Sequence, residues 1–319
     1  MDSYGLLEKR LFVNLVIVGQ GAIGKLWHAH AQYHIKQNNK HNVRFFLAKH
    51  NRTPINQYSF TFYQGLSQQI HARYADEKFI ASADVILICV KSYQVKQAVA
   101  DISKLINRDA LLVMCHNGMG TLQSLPLAVI NNHSILSLLT THGCLQNNSQ
   151  HATHTGLGAS EIGLISGQLS GNIHLQITET LNTILPKVNW HQDIIKAQWR
   201  KLAINCVINP LTAIDNVNNG EITDEKYRFL MTDILKEIVE VAHSQGIILS
   251  INELKEKVLQ VASATRQNSS SMRCDVLANK MTEVDYINGF IHQLGIEQGI
   301  NTASNTQLWQ KVKTLYRQN

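Results

Sequence analysis

The sequence has no apolar run near its N-terminus that is long enough to cross a membrane. The apolar stretch at residues 11–18 is much shorter than the roughly 20 residues that a transmembrane helix needs, and Gly19 and Gly21 interrupt it. No small-residue cleavage site follows an apolar stretch, so a secretory signal is not predicted. We therefore expect a cytoplasmic protein that has no membrane partner.

Cysteine is scarce, and its spacing does not indicate a cysteine-based site. The five cysteines are scattered, odd in number and contain no Cys-x-x-Cys pair, so neither a disulfide framework nor a cysteine zinc site is predicted. His30 and His34 do have the i, i+4 spacing that two metal ligands on one helix share. Because no His-Glu-x-x-His context or third ligand accompanies them, we expect no metal.

Charged residues are also few, at 16% of the 319 residues against 44% apolar residues, a balance typical of packed globular proteins. The formal net charge of +6 does not indicate nucleic-acid binding, because lysine and arginine are spread along the chain rather than clustered with aromatic residues. Attraction of small anionic ligands is a sufficient explanation for it. A chain of this length is expected to form two domains.

In the first half of the chain, short apolar runs alternate with amphipathic segments. The runs are rich in Val, Ile and Leu, as strands buried on both faces are, and they cover residues 12–18, 43–47, 85–90, 111–115 and 135–140. Helical segments are predicted between several of them, notably at 22–35 and 94–106. This alternation predicts βαβ units and a parallel sheet. A strand at 162–165 and a helix at 175–185 are expected near its edge.

After about residue 192 the strand-like runs cease and helical periodicity continues to the end of the chain. Thr223 is predicted to begin a helix that Gly246 ends, and a further long apolar stripe covers residues 277–294. We therefore predict an α/β region at 1–192 followed by an all-helical region at 193–319.

Residues 16–24 read Val-Ile-Val-Gly-Gln-Gly-Ala-Ile-Gly, which places the pattern Gly-x-Gly-x-x-Gly between a strand and a helix. The first glycine permits a tight turn, the second lets the backbone approach a pyrophosphate, and the third allows close helix packing. The N-terminus of the helix offers free N–H groups to phosphates. A glycine-rich structural turn is the alternative. The context favours a Rossmann-type domain whose cofactor loop comprises Gly19, Gln20, Gly21, Ala22, Ile23 and Gly24.

The choice between NAD and NADP is normally made at the end of the second strand, where an acidic residue binds the ribose 2′-hydroxyl of NAD. Residues 47–52 read Leu-Ala-Lys-His-Asn-Arg, with no acid and two cations. This stretch favours NADPH, with Lys49 and Arg52 as candidates to pair with the 2′-phosphate. The alternative is that both are ordinary solvated charges of a loop.

Polar residues recur at i, i+4 and i+8 in the otherwise apolar segment after Trp199: Lys201, Asn205 and Asn209. On a helix they form one ridge that drifts by about 40° per step. Burying a lysine without a partner is costly, so this ridge is expected to line an internal cleft rather than a core. A surface stripe at a domain interface is the alternative. Pro210 is expected to kink or end the helix.

At this point the chain resembles the ketopantoate reductase family along nearly its full length. The resemblance is carried by the glycine pattern, by Lys91 after a strand-like run, by His-Asn-Gly-Met-Gly at 116–120, and by the blocks at 199–214, 270–272 and 282–290. Several motifs in one order are far more specific than the glycines alone. The resemblance implies a Rossmann domain followed by an all-α domain, with the substrate in the cleft between them.

The resemblance also implies roles for individual residues. Lys201 corresponds to the family's general acid and Glu283 to its paired carboxylate, while Lys91 and Asn117 correspond to residues at the nicotinamide. The implied substrate-binding set is Lys201, Asn205, Asn209, Asn219, Asn268 and Ser271. The chemistry agrees, because hydride addition to a ketone develops an alkoxide that needs a proton and preorganised donors. The implied activity is NADPH-dependent reduction of ketopantoate to (R)-pantoate in pantothenate (vitamin B5) and coenzyme A biosynthesis.

Two positions depart from the family's pattern. The arginine that the family often has at the end of the second strand is replaced by Ala48, so contact with the 2′-phosphate must shift to Lys49 or Arg52 or be lost. Cys144 stands where a small residue is usual near the cofactor, which should perturb binding only modestly. Two other functions stay open: a reductase of another branched 2-keto acid, and an NADP-binding regulator without catalysis. The expected partner is a small-molecule substrate, and the expected state is a monomer or homodimer.

Overall fold

The computed structural model describes residues 13–38, 41–46 and 54–316. The chain forms two compact units. The first contains the described residues up to His116 together with Leu122–Ile194, and the second contains Asn117–Thr121 together with Ile195–Asn319. The short segment Asn117–Thr121 therefore packs with the second unit, although it lies between two parts of the first in the sequence.

A seven-stranded sheet forms the centre of the first unit. Its strands are β1 (Val13–Val18), β2 (His41–Phe46), β5 (Val85–Ile88), β6 (Leu111–Met114), β7 (Ile135–Thr140), β10 (Ser160–Ser166) and β11 (Val188–Trp190), in the order β11-β10-β7-β6-β5-β1-β2. All six predicted strands are present. The prediction of a parallel sheet is wrong at one edge, because β10 pairs antiparallel with β7, and β11 pairs parallel with β10.

The described part of the first unit contains the helices α1 (Ala22–Asn38), α2 (Glu77–Ala81), α3 (Val95–Ile102), α4 (Leu127–Asn132) and α5 (Ile173–Ile184). Alternate side chains of the buried strands enter two separate cores. Leu15, Ile17 and Leu87 pack in the core that includes side chains of α1 and α5, and Val16 and Ile86 pack in the core that includes α3. This two-sided burial explains the continuous apolar runs in the sequence.

A second sheet of four strands was not predicted. It contains β3 (Gln57–Thr61), β4 (Ser67–His71), β8 (Gly143–Asn148) and β9 (His151–Gly156) in the order β4-β3-β9-β8. This sheet contributes buried side chains to the core that also contains side chains of α1, namely Tyr58, Phe60, Ile70 and Ala152. The buried residues of these strands alternate with mostly polar ones, so no continuous apolar run marks the strands in the sequence.

The second unit is helical, with α6 (Ile194–Asp215), α7 (Arg228–Ser244), α8 (Ile251–Ala264), α9 (Ser271–Leu277), α10 (Asn288–Gln298) and α11 (Ala303–Thr314). None of the helices in the described part of the chain is long and apolar enough to cross a membrane. The predicted helix start at Thr223 is wrong by several residues. Two 3₁₀ turns, Asn219–Thr223 and Glu225–Tyr227, precede α7.

Pro210 was predicted to kink or end its helix. The helix continues for five residues beyond the proline, so Pro210 does not end it. Proline has no N–H for the carbonyl of Cys206 one turn earlier. The Asn288 side-chain amide donates to that carbonyl over 3.0 Å, and Asn288 is fully buried. A buried amide from another helix thus replaces the missing backbone bond.

The apolar stripe at 277–294 is not one helix. Helix α9 ends at Leu277, Asn279 has a left-handed backbone with φ of 50°, and α10 begins only at Asn288. Glu283 lies in the irregular stretch between them and is 4% exposed. The apolar stripe would place Glu283 on a helix, and this is wrong, because Glu283 is buried in a segment that belongs to no α-helix.

Candidate active site

The glycine loop of the first unit joins the end of β1 at Val18 to the start of α1 at Ala22 within three residues. A side chain at Gly24 would overlap the carbonyl oxygen of Gly19, so α1 can approach the loop only if residue 24 is glycine. At Gly21 the outcome is different. A Cβ atom built there meets no heavy atom of the described chain within 4 Å, which leaves the loop backbone open on that side.

Two side chains next to the glycines are tied to other parts of the first unit. The buried Gln20 amide donates to the hydroxyl of Tyr74. Lys25, in the first turn of α1, is fully buried, and its Nζ donates to the carbonyl oxygen of Ser149 over 2.5 Å. The first turn of α1 contains no acidic residue. Positive potential at this helix N-terminus is therefore not cancelled locally.

The other predicted cofactor residues have different outcomes. Lys91 follows β5, at the C-terminal edge of the parallel strands, and it begins the 3₁₀ turn Ser92–Gln94. Cys144 lies on β8 of the small sheet, where burial raises the pKa of its thiol to about 12. A neutral thiol is the form expected there at neutral pH. Lys49 and Arg52 lie outside the described residues.

Three histidines of the first unit form a hydrogen-bonded chain. The N–H of Gly158 donates to His142 Nδ1, so that nitrogen is an acceptor. His142 Nδ1 is 3.2 Å from His154 Nε2, and His154 Nδ1 is 3.1 Å from His30 Nε2. His154 Nε2 also lies 3.1 Å from the carbonyl oxygen of Gly156, which can only accept, so that nitrogen carries a proton. This histidine chain (His30, His154 and His142) connects α1, β9 and the residues after β7.

Burial lowers the pKa of these rings. It lowers the pKa of His30 to about 3 and that of His154 to about 4, and the pKa of His142 is also lowered. The neighbouring His28, which stacks on Phe45 and bonds to the Tyr58 hydroxyl, has its pKa lowered by burial to about 3. Over 13–38, 41–46 and 54–316, no three His, Cys, Asp or Glu side chains are placed to hold a metal ion.

In the second unit, the segment from Asn117 to Thr121 packs on the residues that follow Glu283. The N–H of Met119 donates to the carbonyl oxygen of Tyr286 over 2.8 Å, and a side chain at Gly118, where φ is +78°, would overlap that carbonyl group. This close approach brings the Asn117 amide to 3.2 Å from Glu283 Oε2. Two residues that are 166 positions apart thereby form one part-buried polar pair.

Helix α6 carries the predicted polar ridge, and its helical conformation is confirmed. Lys201 and Asn205 are half-buried, and Asn209, one turn further, is buried. Trp199, Leu202, Ala203 and Cys206 of the same helix are buried in the core of the second unit, whereas Arg200 is exposed. Lys201 and Asn205 therefore remain partly accessible beside these buried residues.

The turn of α6 that holds Asn209 is connected to the start of α9. The hydroxyl of Thr212 lies 3.1 Å from the Asn209 carbonyl oxygen and 2.7 Å from the hydroxyl of Ser270. Ser270 is the N-cap of α9 and accepts a hydrogen bond from the N–H of Arg273. Ser271, the first residue of α9, is exposed beside this buried link. Neither Thr212 nor Ser270 was among the predicted site residues.

The connection after α6 brings in the other two predicted residues. The N–H of Asn219 donates to the carbonyl oxygen of Asn268 over 3.0 Å, and its side-chain amide donates to Thr265 Oγ1 over 3.0 Å. Asn219 is 8% exposed. Its Oδ1 atom has no hydrogen-bond partner among the residues that the structure describes. Asn219 and Asn268 thus form one hydrogen-bonded pair of the second unit, while Asn209 and Ser271 flank the link between Thr212 and Ser270.

Comparison with known families covers both units. A family model described as "Ketopantoate reductase PanE/ApbA" matches residues 15–167, and one described as "Ketopantoate reductase PanE/ApbA C terminal" matches residues 193–316. The chain is 33% identical over 303 residues to the 2-dehydropantoate 2-reductase of Vibrio cholerae, which covers 95% of this chain and 98% of that protein.

Solved structures share the fold. A PanE/ApbA family ketopantoate reductase from Ralstonia eutropha JMP134 superposes with a TM-score of 0.79 at 23% identity, over 94% of this chain and 98% of that chain. D-mandelate dehydrogenase in complex with NADH and anilino(oxo)acetate superposes with a TM-score of 0.81 at 20% identity, with the same coverage. At these identities the likeness extends to the fold alone.

Proposed function

Because the chain belongs to the ketopantoate reductase family, we propose that it reduces ketopantoate (2-dehydropantoate) to (R)-pantoate with NADPH, a step of pantothenate and coenzyme A biosynthesis. One observation in particular supports this assignment. The second unit holds a lysine, a buried carboxylate and a cluster of amides and hydroxyls, while the first holds an open dinucleotide loop. A regulator that only sensed NADP would need the loop but no proton donor.

The residues present fit a dinucleotide. The open side of Gly21 has room for a pyrophosphate, and the N–H groups at the start of α1 supply donors for it. NADPH, when bound, supplies the hydride for the reaction. In this proposal Gln20, Ala22, Ile23, Lys91, Asn117, Cys144 and Glu283 line the cofactor site with the three glycines. Lys49 and Arg52 hold the 2′-phosphate.

Lys201 is proposed as the proton donor. As a C–H bond forms at the keto carbon, negative charge develops on the keto oxygen, and transfer of a proton from Lys201 Nζ gives the product hydroxyl. Asn117 keeps the Glu283 carboxylate in a fixed orientation through their hydrogen bond. The carboxylate then either orients the ammonium group or bonds the new hydroxyl.

The substrate is proposed to lie against Asn205, Asn209, Asn219, Asn268 and Ser271. Amide N–H groups and the serine hydroxyl are suitable donors to the substrate carboxylate. Asn219 differs from the others, because its amide nitrogen already donates to Thr265 and its buried Oδ1 has no hydrogen-bond partner among the described residues. An unpartnered acceptor favours a ligand that brings a donor, and a carboxylate has none, so Asn219 Oδ1 is proposed to accept from the hydroxyl group of ketopantoate.

The test of this function is NADPH oxidation in the presence of ketopantoate and of other branched 2-keto acids. We expect ketopantoate to be the best substrate and NADPH to be preferred over NADH by about 10- to 100-fold in kcat/KM, as one charge-assisted contact would give. The double change of Lys49 and Arg52 to alanine should remove most of that preference by weakening NADPH alone. Ionic strength must be constant, since exposed charges are screened.

Three results would each count against a different part of these assignments. If the wild type turns over another 2-keto acid better than ketopantoate, the substrate is wrong but the reaction type stands. Equal use of NADH by the wild type would contradict the cofactor preference, and a preference that survives the double change would mean that other residues hold the phosphate.

Gly21→Ala and Gly24→Ala should separate cofactor binding from folding. The methyl group at residue 21 meets open space, so the melting temperature should stay within about 2 °C while NADPH affinity falls by roughly tenfold or more. The methyl group at residue 24 overlaps the Gly19 carbonyl oxygen, so this variant should lose several degrees of melting temperature even without cofactor. An unchanged Kd for NADPH in Gly21→Ala would exclude the loop as the pyrophosphate site.

A further inference from the structure

Arg273 makes two hydrogen bonds to the connection after α6. Its Nε donates to Asn216 Oδ1 over 2.9 Å, and its NH1 donates to Asn218 Oδ1 over 2.5 Å. Arg273 is in the first turn of α9, two residues after Ser271 and one turn after Ser270. The planar guanidinium group at the start of α9 therefore hydrogen-bonds two side chains of one loop, residues 216–218.

The loop that Arg273 binds, residues 216–218, has little regular structure. It begins after α6 ends at Asp215, and Asn216 has a left-handed backbone with φ of 53°. On its other side the loop is held by two backbone bonds, from Asn219 to Asn268 and from Gly220 to Arg266. Asn219 directly follows Asn218, which Arg273 binds. The position of its buried side chain therefore depends on how firmly residues 216–218 are held.

This dependence matters most for a hydroxyl group. A buried acceptor that lacks a partner favours a ligand with a donor at that point, because leaving it unsatisfied is costly. Ketopantoate carries a hydroxyl group on C4, and 3,3-dimethyl-2-oxobutanoate is the same keto acid without it. A site that uses Asn219 Oδ1 should discriminate between the two, since sites built to bond a hydroxyl reject analogues that lack it.

We propose that Arg273 is a positioning residue for substrate specificity. Its hydrogen bonds to Asn216 and Asn218 hold the Asn219 Oδ1 acceptor where the substrate hydroxyl binds. This inference rests on the proposed function for the identity of the substrate. Arg273 itself does not need to touch the substrate. Its effect passes through the loop and should be confined to substrates that carry the hydroxyl.

The experiment compares Arg273→Leu with the wild type on both keto acids. We expect the KM for ketopantoate to rise roughly tenfold, with kcat and the Kd for NADPH changed by less than about twofold. The kcat/KM for 3,3-dimethyl-2-oxobutanoate should change by less than about twofold. Arg273→Lys, whose ammonium can reach only one of the two asparagines well, should lie between the two proteins. Arg228→Leu removes another exposed arginine of the same unit and should leave both substrates unaffected.

A second comparison tests the route of the effect. If Arg273 acts through the loop, then Asn218→Ala should raise the KM for ketopantoate in the wild type but add little in Arg273→Leu. Hydrogen exchange gives a readout that needs no substrate. The amides of Asn219 and Gly220 should exchange about tenfold faster in Arg273→Leu, while amides in the middle of α7 keep their rates.

The outcomes separate this inference from the proposed function. An unchanged KM for ketopantoate in Arg273→Leu, or an equal loss with both keto acids, overturns the specificity role. Unchanged amide hydrogen exchange at Asn219 and Gly220 would show that Arg273 does not hold the loop in place. If the wild type does not reduce ketopantoate at all, the proposed function fails. Faster hydrogen exchange in Arg273→Leu would still support the role of Arg273 in holding the loop.

Discussion

Lys201→Ala is expected to lower kcat for ketopantoate reduction by roughly 10²- to 10⁴-fold while the Kd for NADPH changes by less than about twofold. A positioned general acid typically contributes this much, because without it the developing alkoxide must take its proton from water. Lys201 lies half-buried on α6, one turn from Asn205 and beside Trp199 and Leu202, which pack in the core of the second unit. The measurement is steady-state turnover at saturating NADPH, with cofactor affinity determined separately by fluorescence.

Arg200→Ala provides the matched control for this variant. Arg200 is the adjacent residue on the same helix, but its side chain is 47% exposed and lies 4.0 Å from Glu253. Its loss should change kcat by less than about twofold, since exposed ion pairs contribute little. A Lys201→Ala enzyme with near wild-type kcat would refute the assigned mechanism. An equal loss in Arg200→Ala would assign the effect to net charge or to folding rather than to proton transfer.

The first unit is expected to lose stability steeply as the pH falls from about 6.5 to 5. His28, His30, His142 and His154 have pKa values below the value of about 6.5 for an exposed histidine. In that pH range the unfolded chain binds protons that the folded unit does not, so acid favours unfolding. Above pH 6.5 the contribution is fully present. Each such group can contribute up to about 1.4 kcal/mol per pH unit.

His28, His30 and His154, whose pKa values fall to about 3 or 4, would together remove about 4 kcal/mol per pH unit, a large part of the 5–15 kcal/mol that is typical of a domain. Calorimetric scans without cofactor should show the melting temperature of the first unit falling by about 10 °C between pH 6 and pH 5. His154→Gln should make this decline less steep by about one proton, whereas His71→Gln on the exposed strand β4 should leave it unchanged. A melting temperature that is flat from pH 7 to pH 5 would contradict the prediction.

The large sheet could be predicted because its strands are buried on both faces. Val85–Ile88 and Leu111–Met114 are apolar at every position and fully buried, so composition alone marks them. The small sheet was missed because its signal is alternation. In Gln57–Thr61 only Tyr58 and Phe60 are buried, and a five-residue alternation among polar residues is weak. The reversed direction of β10 depends on pairing with β7, which no local pattern encodes.

The limits at the site are of a different kind. Spacing on one helix was sufficient to group Lys201, Asn205 and Asn209, because i, i+4 positions share a face. The pairing of Asn117 with Glu283 depends on tertiary packing of Gly118 against Tyr286, and the roles of Thr212 and Arg273 depend on contacts between separate helices. The continuation of α6 past Pro210 has the same origin, since the amide of Asn288 that donates to the Cys206 carbonyl lies in another helix.

The packing of Asn117–Thr121 with the helical unit has a consequence for the order in which the chain is made. These five residues leave the ribosome well before their partners, because Asn117 precedes Glu283 by 166 residues. At roughly 5–20 residues per second, synthesis of the intervening chain takes on the order of 10–30 s. During that interval the nascent first unit must carry the segment without the residues it packs against. A fragment that starts at Ile195 would never contain it, so the helical unit expressed in that form would lack its Asn117–Glu283 pair.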